Sequence, residues 1–461
     1  MKPLLWYGLA LGGLWMATRL LLGPRRNGPI ACRLGGLHWT VQDFCRGWLI
    51  LGAVGSGKTV SGVRQILHQL FSNLPSFGGL VIDDKGTLHE TVSAMAHSFG
   101  RKQDVMLLRV VDRSLDPEAK PVHRFNLVGD RTIPFATYAR CIVDTASSLG
   151  NRREQGFFRS AAQIHIAEGL AVLAALEYDV SLENLYHLLT DLDELREAVE
   201  QMTGRPGCEA LIKHFEKFLG QPAEQLAGIT GTITNYLHHF TTPEVAEVFC
   251  RDSTFSLSDM EKGKLVCLAL PQRLQTERRF VGTLLKHLFY LQALRRFDRS
   301  PEERAACNLL LFLADEAQHF MTHSEDGVSD HSIVDVVREA GVAFIAATQS
   351  TTSFVPVLGA EASKVLTLNL RNRLLFTAAD EEDAKASAEF VGKKQGYQES
   401  ETRGDGRRSR TRHRQEQYRF EPSQLRKLKK HYCVVVHAEH GYRKILLPPI
   451  QPDGTVCSWF R

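Results

Sequence analysis

Leu49–Thr59 reads Leu-Ile-Leu-Gly-Ala-Val-Gly-Ser-Gly-Lys-Thr, an apolar run that breaks into a glycine loop and closes on Lys-Thr. From Gly52 the stretch matches G-x-x-x-x-G-K-[ST] in full: Gly52, Ala53, Val54, Gly55, Ser56, Gly57, Lys58 and Thr59. The residue types have a physical reason. Glycines let backbone N–H groups curl around phosphates with no side chain in the way, and a following helix aims its positive end at the anion. Lys58 is placed for the β- and γ-phosphates, and the Thr59 hydroxyl for Mg²⁺. The context fits, with a short strand "GWLIL" before the loop and helical spacing in "TVSGVRQILHQLF" after it. The sequence therefore predicts a site for ATP and Mg²⁺.

A phosphate loop needs an acidic counterpart, and "LLLFLADEAQ" supplies it at Asp315 and Glu316. A carboxylate at the tip of a buried strand suits Mg²⁺ through its water shell, so Asp315 joins Thr59 as a metal-site residue. Glu316 can polarise an attacking water. Gln349 ends another apolar strand, "GVAFIAATQS", where it can sense a γ-phosphate. Arg338 stands eleven residues upstream of it. Spacing alone leaves Arg338 two readings, a surface charge of its own subunit or a finger that reaches a neighbour's nucleotide.

Further strands are expected at "GGLVIDDKG", "DVMLLRVV", "KLVCLAL" and "RNRLLFTAA", with a hairpin in "YCVVVHAEHGYRKILLPPI". Their alternation with helical segments predicts a parallel α/β core. Between residues 136 and 250 the spacing turns wholly helical, as in "GFFRSAAQIHIAEGLAVLAALEY". That stretch reads as an all-alpha insertion between a first core segment, 26–135, and a second, 251–461. Residues 24–46 read as a connector. Residues 393–419 are almost free of apolar side chains and hold seven Arg from Arg403 onward, which predicts a mobile basic loop.

Composition narrows the classes. The net charge of +4 in 461 residues does not by itself demand nucleic acid. Nine Cys stand singly with no CxxC pair, which predicts reduced thiols and no zinc site. From Leu4 to Leu22 the only charge is Arg19, a length of about 20 residues that suits one membrane-spanning helix. Arg25, Arg26 and Arg33 follow it and Lys2 alone precedes it. The positive-inside rule then predicts an anchor at 1–25, crossing the membrane once, with the body in the cytoplasm.

The set "GAVGSGKT", "IDDKG", "RFNLVGD", "LFLADEAQ" and "REAGVAFIAATQS" resembles the type IV secretion coupling proteins of the TraG/TraD kind, relatives of the FtsK/HerA motors. The resemblance implies a RecA-like P-loop core that forms a hexameric ring of identical subunits. It implies an ATPase that passes single-stranded DNA with its relaxase and relaxosome proteins, or protein effectors, to the components of a secretion channel. It sets Arg338 at the family's arginine-finger position and Gln349 at its sensor position. The chain departs from the family in two places: one expected span instead of two, and Asp83-Asp84-Lys85-Gly86-Thr87 where D-P-K-G-E is common. Two other readings compete: a translocase of duplex DNA, and a membrane-tethered receptor that binds nucleotide with little turnover.

Overall fold

The computed structural model describes residues 28–112, 118, 120–150, 156–324, 327–404 and 407–460. The expected span at 4–22 lies outside them, and no helix among the described residues is long and apolar enough to cross a membrane. The fold is α/β with a large mixed sheet. Strands β1 (Ile30–Leu34) and β2 (Leu37–Thr40) form a hairpin, followed by β3 (Trp48–Leu51), β4 (Phe77–Asp83) and β5 (Val105–Arg109). After the helical stretch come β6 (Leu265–Ala269), β7 (Leu309–Asp315), β8 (Val342–Thr348) and β9 (Asn372–Leu375). A long ribbon, β10 (Lys393–Gly404) and β11 (Arg407–Tyr418), precedes β12 (Tyr432–His437) and β13 (Gly441–Leu446).

The nine-stranded sheet runs β13-β12-β9-β3-β8-β7-β4-β6-β5. From β9 to β5 every pairing is parallel, and the β12–β13 hairpin adds two antiparallel strands at the β9 edge. Strands β3, β4, β6, β7, β8 and β9 are buried along their whole length. That is why they read as unbroken apolar runs rather than as alternating ones. Their residues divide by parity between two cores. Leu49, Leu51, Phe312 and Phe344 face one, with the helices Phe135–Leu149 and Gln275–Leu294. Trp48, Ile50, Leu311 and Ile345 face the other, with the β1–β2 hairpin and the helices Arg64–Asn73 and Leu88–Ser98. In β4, Gly79 admits the neighbouring strand, because a Cβ there would meet the Leu311 carbonyl oxygen at 1.9 Å.

Between β5 and β6 the chain is helical, from Phe135–Leu149 through Gly156–Ala175 to Pro243–Phe249. Two segments differ from the sequence expectation. The connector at 24–46 contains the β1–β2 hairpin, which turns at Gly35 and Gly36, both with positive φ. It is pinned by the buried Trp39, whose Nε1 donates to Asn372 Oδ1 at 2.8 Å. The basic segment at 393–419 is not a loop. β10 and β11 pair in unbroken register from Lys393↔Tyr418 to Gly404↔Arg407. Main-chain pairing needs no apolar pattern. The signal was the Asp405-Gly406 dipeptide, which favours a two-residue hairpin turn.

One buried polar cluster fixes the helix that carries Arg338. Lys286 Nζ binds Asp330 and donates to the Phe320 carbonyl at 2.6 Å, while Tyr290 OH also binds Asp330. Asp330 opens the helix Asp330–Glu339, and both ends of the Lys286–Asp330 pair are fully buried. Breaking such a pair leaves an uncompensated buried charge. Lys286→Met is therefore expected to destabilise the protein by about 3–5 kcal/mol. In thermal unfolding, Lys286→Met/Asp330→Asn should regain part of that loss.

Candidate active site

The glycine loop leaves the end of β3 and enters a helical turn at Lys58, with Gly55 at φ 77° and Gly57 at φ 100°. These left-handed values favour glycine. The loop is packed tightly on its outer side. A Cβ at Gly52 would meet Ser56 Oγ at 2.6 Å and Phe376 Cβ at 2.8 Å, and one at Gly57 would meet His431 Nδ1 at 2.8 Å. Ala53 N donates to the Thr377 carbonyl at 2.8 Å, so the segment just after β9 steadies the first turn.

β7 brings its two acids to the same end of the sheet. Thr59 Oγ1 donates to Asp315 Oδ2 at 3.0 Å. The buried Lys58 ammonium lies 3.1 Å from Glu316 Oε1 and 3.9 Å from Asp315 Oδ1. Glu316 sits in the left-handed region at φ 53°, ψ 50°, a conformation that costs a non-glycine residue about 1–2 kcal/mol. Strain of this kind concentrates at functional sites. β8 lies between β3 and β7, so the Gln349 that follows it emerges between loop and acids. Gln349 Nε2 donates to Glu316 Oε1 at 3.3 Å, and Gln318 Nε2 donates to Glu316 Oε2 at 3.1 Å.

Charges at the site are uneven. Asp83 is the register partner of Asp315 across β4 and β7. Burial raises the Asp83 carboxyl to about 6, against the N–H groups of Thr87 and Leu88, with the Asp315 charge adding to the rise. Burial also raises Asp315, and Lys58 and Thr59 oppose it. Glu316 moves the other way. Its burial is outweighed by the Lys58 charge and by hydrogen bonds from Gln318, Lys58 and Gln349, so it stays ionised. The residues fit a divalent cation beside Thr59 and Asp315, because hard oxygen donors and surplus negative charge converge there. They fit phosphate at the loop, where the buried Ser56 Oγ has no hydrogen-bond partner.

A cavity of about 260 Å³ opens on the loop, lined by Gly55, Lys58, Thr59, Glu316 and Gln349 together with Lys85 and Lys430. The sequence reading assigned no role to Lys85, Lys430 or His431. His431 N donates to the Ser56 carbonyl at 3.0 Å, and its Nδ1 lies 2.8 Å from Ser61 Oγ. Only the "IDDKG" motif hinted at Lys85; nothing local marks residues 430–431. The neighbouring Asp84 turns away and ties β4 to the helix Gln275–Leu294. Arg279 Nε donates to its Oδ1 at 2.6 Å, and Gln275 Nε2 to its Oδ2 at 3.0 Å.

Arg338 is not in this cavity. It precedes β8 and Gln349 follows it, so seven strand residues separate them, about 20 Å at strand rise. Arg338 Nη1 pairs with Asp335 at 3.2 Å and lines a separate crevice at the far end of the sheet with Arg46 and Arg371. Another cluster, Asp43, His437 and His440, could be taken for metal ligands. The His437 ring is already engaged: Nδ1 accepts from the Glu439 and His440 N–H groups, and Nε2 lies 3.1 Å from the His38 carbonyl. The described cysteines are all free thiols, seven of them buried.

A parallel sheet whose glycine loop faces an Asp-Glu pair defines a P-loop nucleotide-binding α/β protein. The chain belongs to the type IV secretion-system coupling protein family: the profile for that family's DNA-binding domain matches residues 31–448. Comparison with curated protein sequences returns no match. Among solved structures the chain resembles the bacterial conjugative coupling protein TrwBdeltaN70 in its unbound monoclinic form, with 16% identity and a TM-score of 0.67 over 94% of this chain and 91% of that one. The plasmid coupling protein TrwB in complex with ADP and Mg²⁺ gives 16% identity and a TM-score of 0.67 over 94% of each chain. VirB4 of Thermoanaerobacter pseudethanolicus follows at 12% identity and a TM-score of 0.54, over 93% of this chain and 98% of that one.

The Asp83 shift gives a pH test. Its folded value, about 6, exceeds its ordinary value of 3.8, so folding favours the protonated form. That stabilisation is complete below about pH 4 and is lost as pH rises through about 6. Two units correspond to about 3 kcal/mol. In Asp83→Asn the amide oxygen still accepts from Thr87 and Leu88. The melting temperature of the variant, relative to wild type, should therefore rise between pH 4 and pH 7.

Proposed function

We propose that this protein is a ring-forming ATPase that couples ATP hydrolysis to the passage of DNA, or of protein effectors, into a conjugation or type IV secretion channel. The observation that carries the reading is the bonding of Lys58 and Thr59 to Glu316 and Asp315, with Gln349 on Glu316, beside one cavity. In this reading Lys58 neutralises the β- and γ-phosphates and Glu316 orients the attacking water and accepts its proton. Gln349, bonded to Glu316, registers whether the γ-phosphate is present. Mg²⁺, held by Thr59 and through water by Asp315, would offset phosphate charge. The TrwB structures in complex with ADP and Mg²⁺, with GDPNP and with ADPNP support nucleotide as the ligand.

Arg338 lies at the wrong end of β8 to serve its own nucleotide, so in this reading it acts on a neighbour's. A finger in trans requires a head-to-tail interface, and repetition of that interface closes a ring, here a homo-hexamer. The segment Leu4–Leu22 holds the ring on the inner membrane with the ATPase body in the cytoplasm. The DNA-binding description of the family supports nucleic acid as cargo, delivered as a single strand with its relaxase. The ribbon supports it too. Lys393–Tyr418 holds eight Lys and Arg against four Asp and Glu, and its +4 equals the net charge of the whole chain. Arg408, Arg410, Arg412 and Arg414 take alternate positions of β11. A duplex translocase, or a receptor with little turnover, would carry the same loop; assays separate them.

Lys58→Ala is expected to abolish phosphate release and nucleotide binding. Glu316→Gln should lower turnover by about 10²–10⁴-fold and keep nucleotide bound. Wild-type turnover in either variant rules out the assignment. Arg338→Ala should bind nucleotide without hydrolysing it, and mixing it with Lys58→Ala should restore part of the activity through shared interfaces. Replacement of residues 397–413 by a short turn should weaken binding of single-stranded DNA and flatten its salt dependence. Basal turnover should stay within about twofold of wild type. An unchanged salt slope would exclude the ribbon from the DNA path.

A further inference from the structure

The cavity on the loop holds about 260 Å³, less than the roughly 300 Å³ at which pockets that enclose small molecules begin. It has room for phosphates, and the sugar and base of a nucleotide pass beyond its rim. Their direction follows from the loop. Glu316 and Gln349 mark the γ-phosphate end, while the α-phosphate falls toward Thr59 and Val60. At Val60 the rim is built from residues near the end of the sequence. Ile450 N donates to the Val60 carbonyl at 2.9 Å, and Arg64 Nη1 to the Ile450 carbonyl at 3.2 Å.

The chain then turns back, with Cys457 N donating to the Pro449 carbonyl at 2.9 Å. That return brings the Trp459 ring to 5.5 Å from the ring of His431, the residue bonded to Ser56 and Ser61 of the loop and its helix. Trp459 is 66% exposed, whereas Trp39 and Trp48 are fully buried. The Phe460 ring, 6.0 Å away and nearly perpendicular, braces it from the side. An indole in water beside a phosphate loop has a free π-face and a rigid mount.

We infer that Trp459 is the platform on which the base of the bound nucleotide stacks. The inference rests on the nucleotide reading given above. Stacking uses the π-face that every base has, so this platform does not separate adenine from guanine.

Calorimetric titration of the purified full chain with ATP, GTP and inorganic tripolyphosphate, each with Mg²⁺, tests it. Trp459→Ala should weaken ATP and GTP about tenfold or more and leave tripolyphosphate unchanged, since base stacking on an aromatic ring accounts for a loss of that order. Trp459→Phe, which keeps a ring, should stay within about threefold of wild type. ATP affinity unchanged in Trp459→Ala overturns the platform. An equal loss of tripolyphosphate also overturns it, because the residue would then only shape the loop. Wild-type protein that binds neither ligand removes the nucleotide reading itself, and the platform with it.

Discussion

A buried ammonium between two adjacent carboxylates governs this molecule. Asp315 and Glu316 end a strand with no solvent along its length, and a carboxylate is not held there without compensation. Lys58 supplies it from 3.1 and 3.9 Å. To reach that point Lys58 must leave a loop bent through two left-handed glycines, and Glu316 must adopt a left-handed conformation of its own. The sheet order serves the same end. With β8 between β3 and β7, the loop and the acids stand one strand apart, and that gap admits Gln349.

Polar contacts extend from this site through the helix Gln275–Leu294. Asp84, next to the cavity-lining Lys85, is gripped by Gln275 and Arg279 at the start of that helix. Midway along it, Lys286 and Tyr290 hold Asp330. Just past its end, Arg296 Nη1 donates to the Ala340 carbonyl at 2.7 Å. The helix with Arg338 is thus gripped at its start and just beyond its end by one rigid element whose other end touches the nucleotide loop's acidic neighbour.

Much of this was legible in the sequence where chemistry and local pattern coincide. Buried strands ending in glycine or acid announced β3 and β7, and helical spacing announced the stretch between β5 and β6. Pairing order was not legible, because a run such as "VAFIAAT" is equally apolar beside any neighbour; the place of β8 is a tertiary fact. The ribbon escaped because its pairing is carried by the main chain and its side chains lack a hydrophobic face. Lys430 and His431 escaped because they reach the loop across nearly four hundred residues, a range that leaves no periodicity to read, and Trp459 because it meets His431 rather than the loop itself. The membrane anchor and the role of Arg338 stand as proposals, one beyond the described residues and the other requiring a second copy.

Strand β3 pairs only with β8 and β9, which follow it by roughly three hundred residues. A ribosome making this protein therefore releases the phosphate loop long before any partner strand exists to hold it. The clamp of Ile450 on Val60 joins residues still farther apart in the chain. Pairings of such sequence separation bear their loop-closure cost before they reward it, which slows assembly of the middle of the sheet.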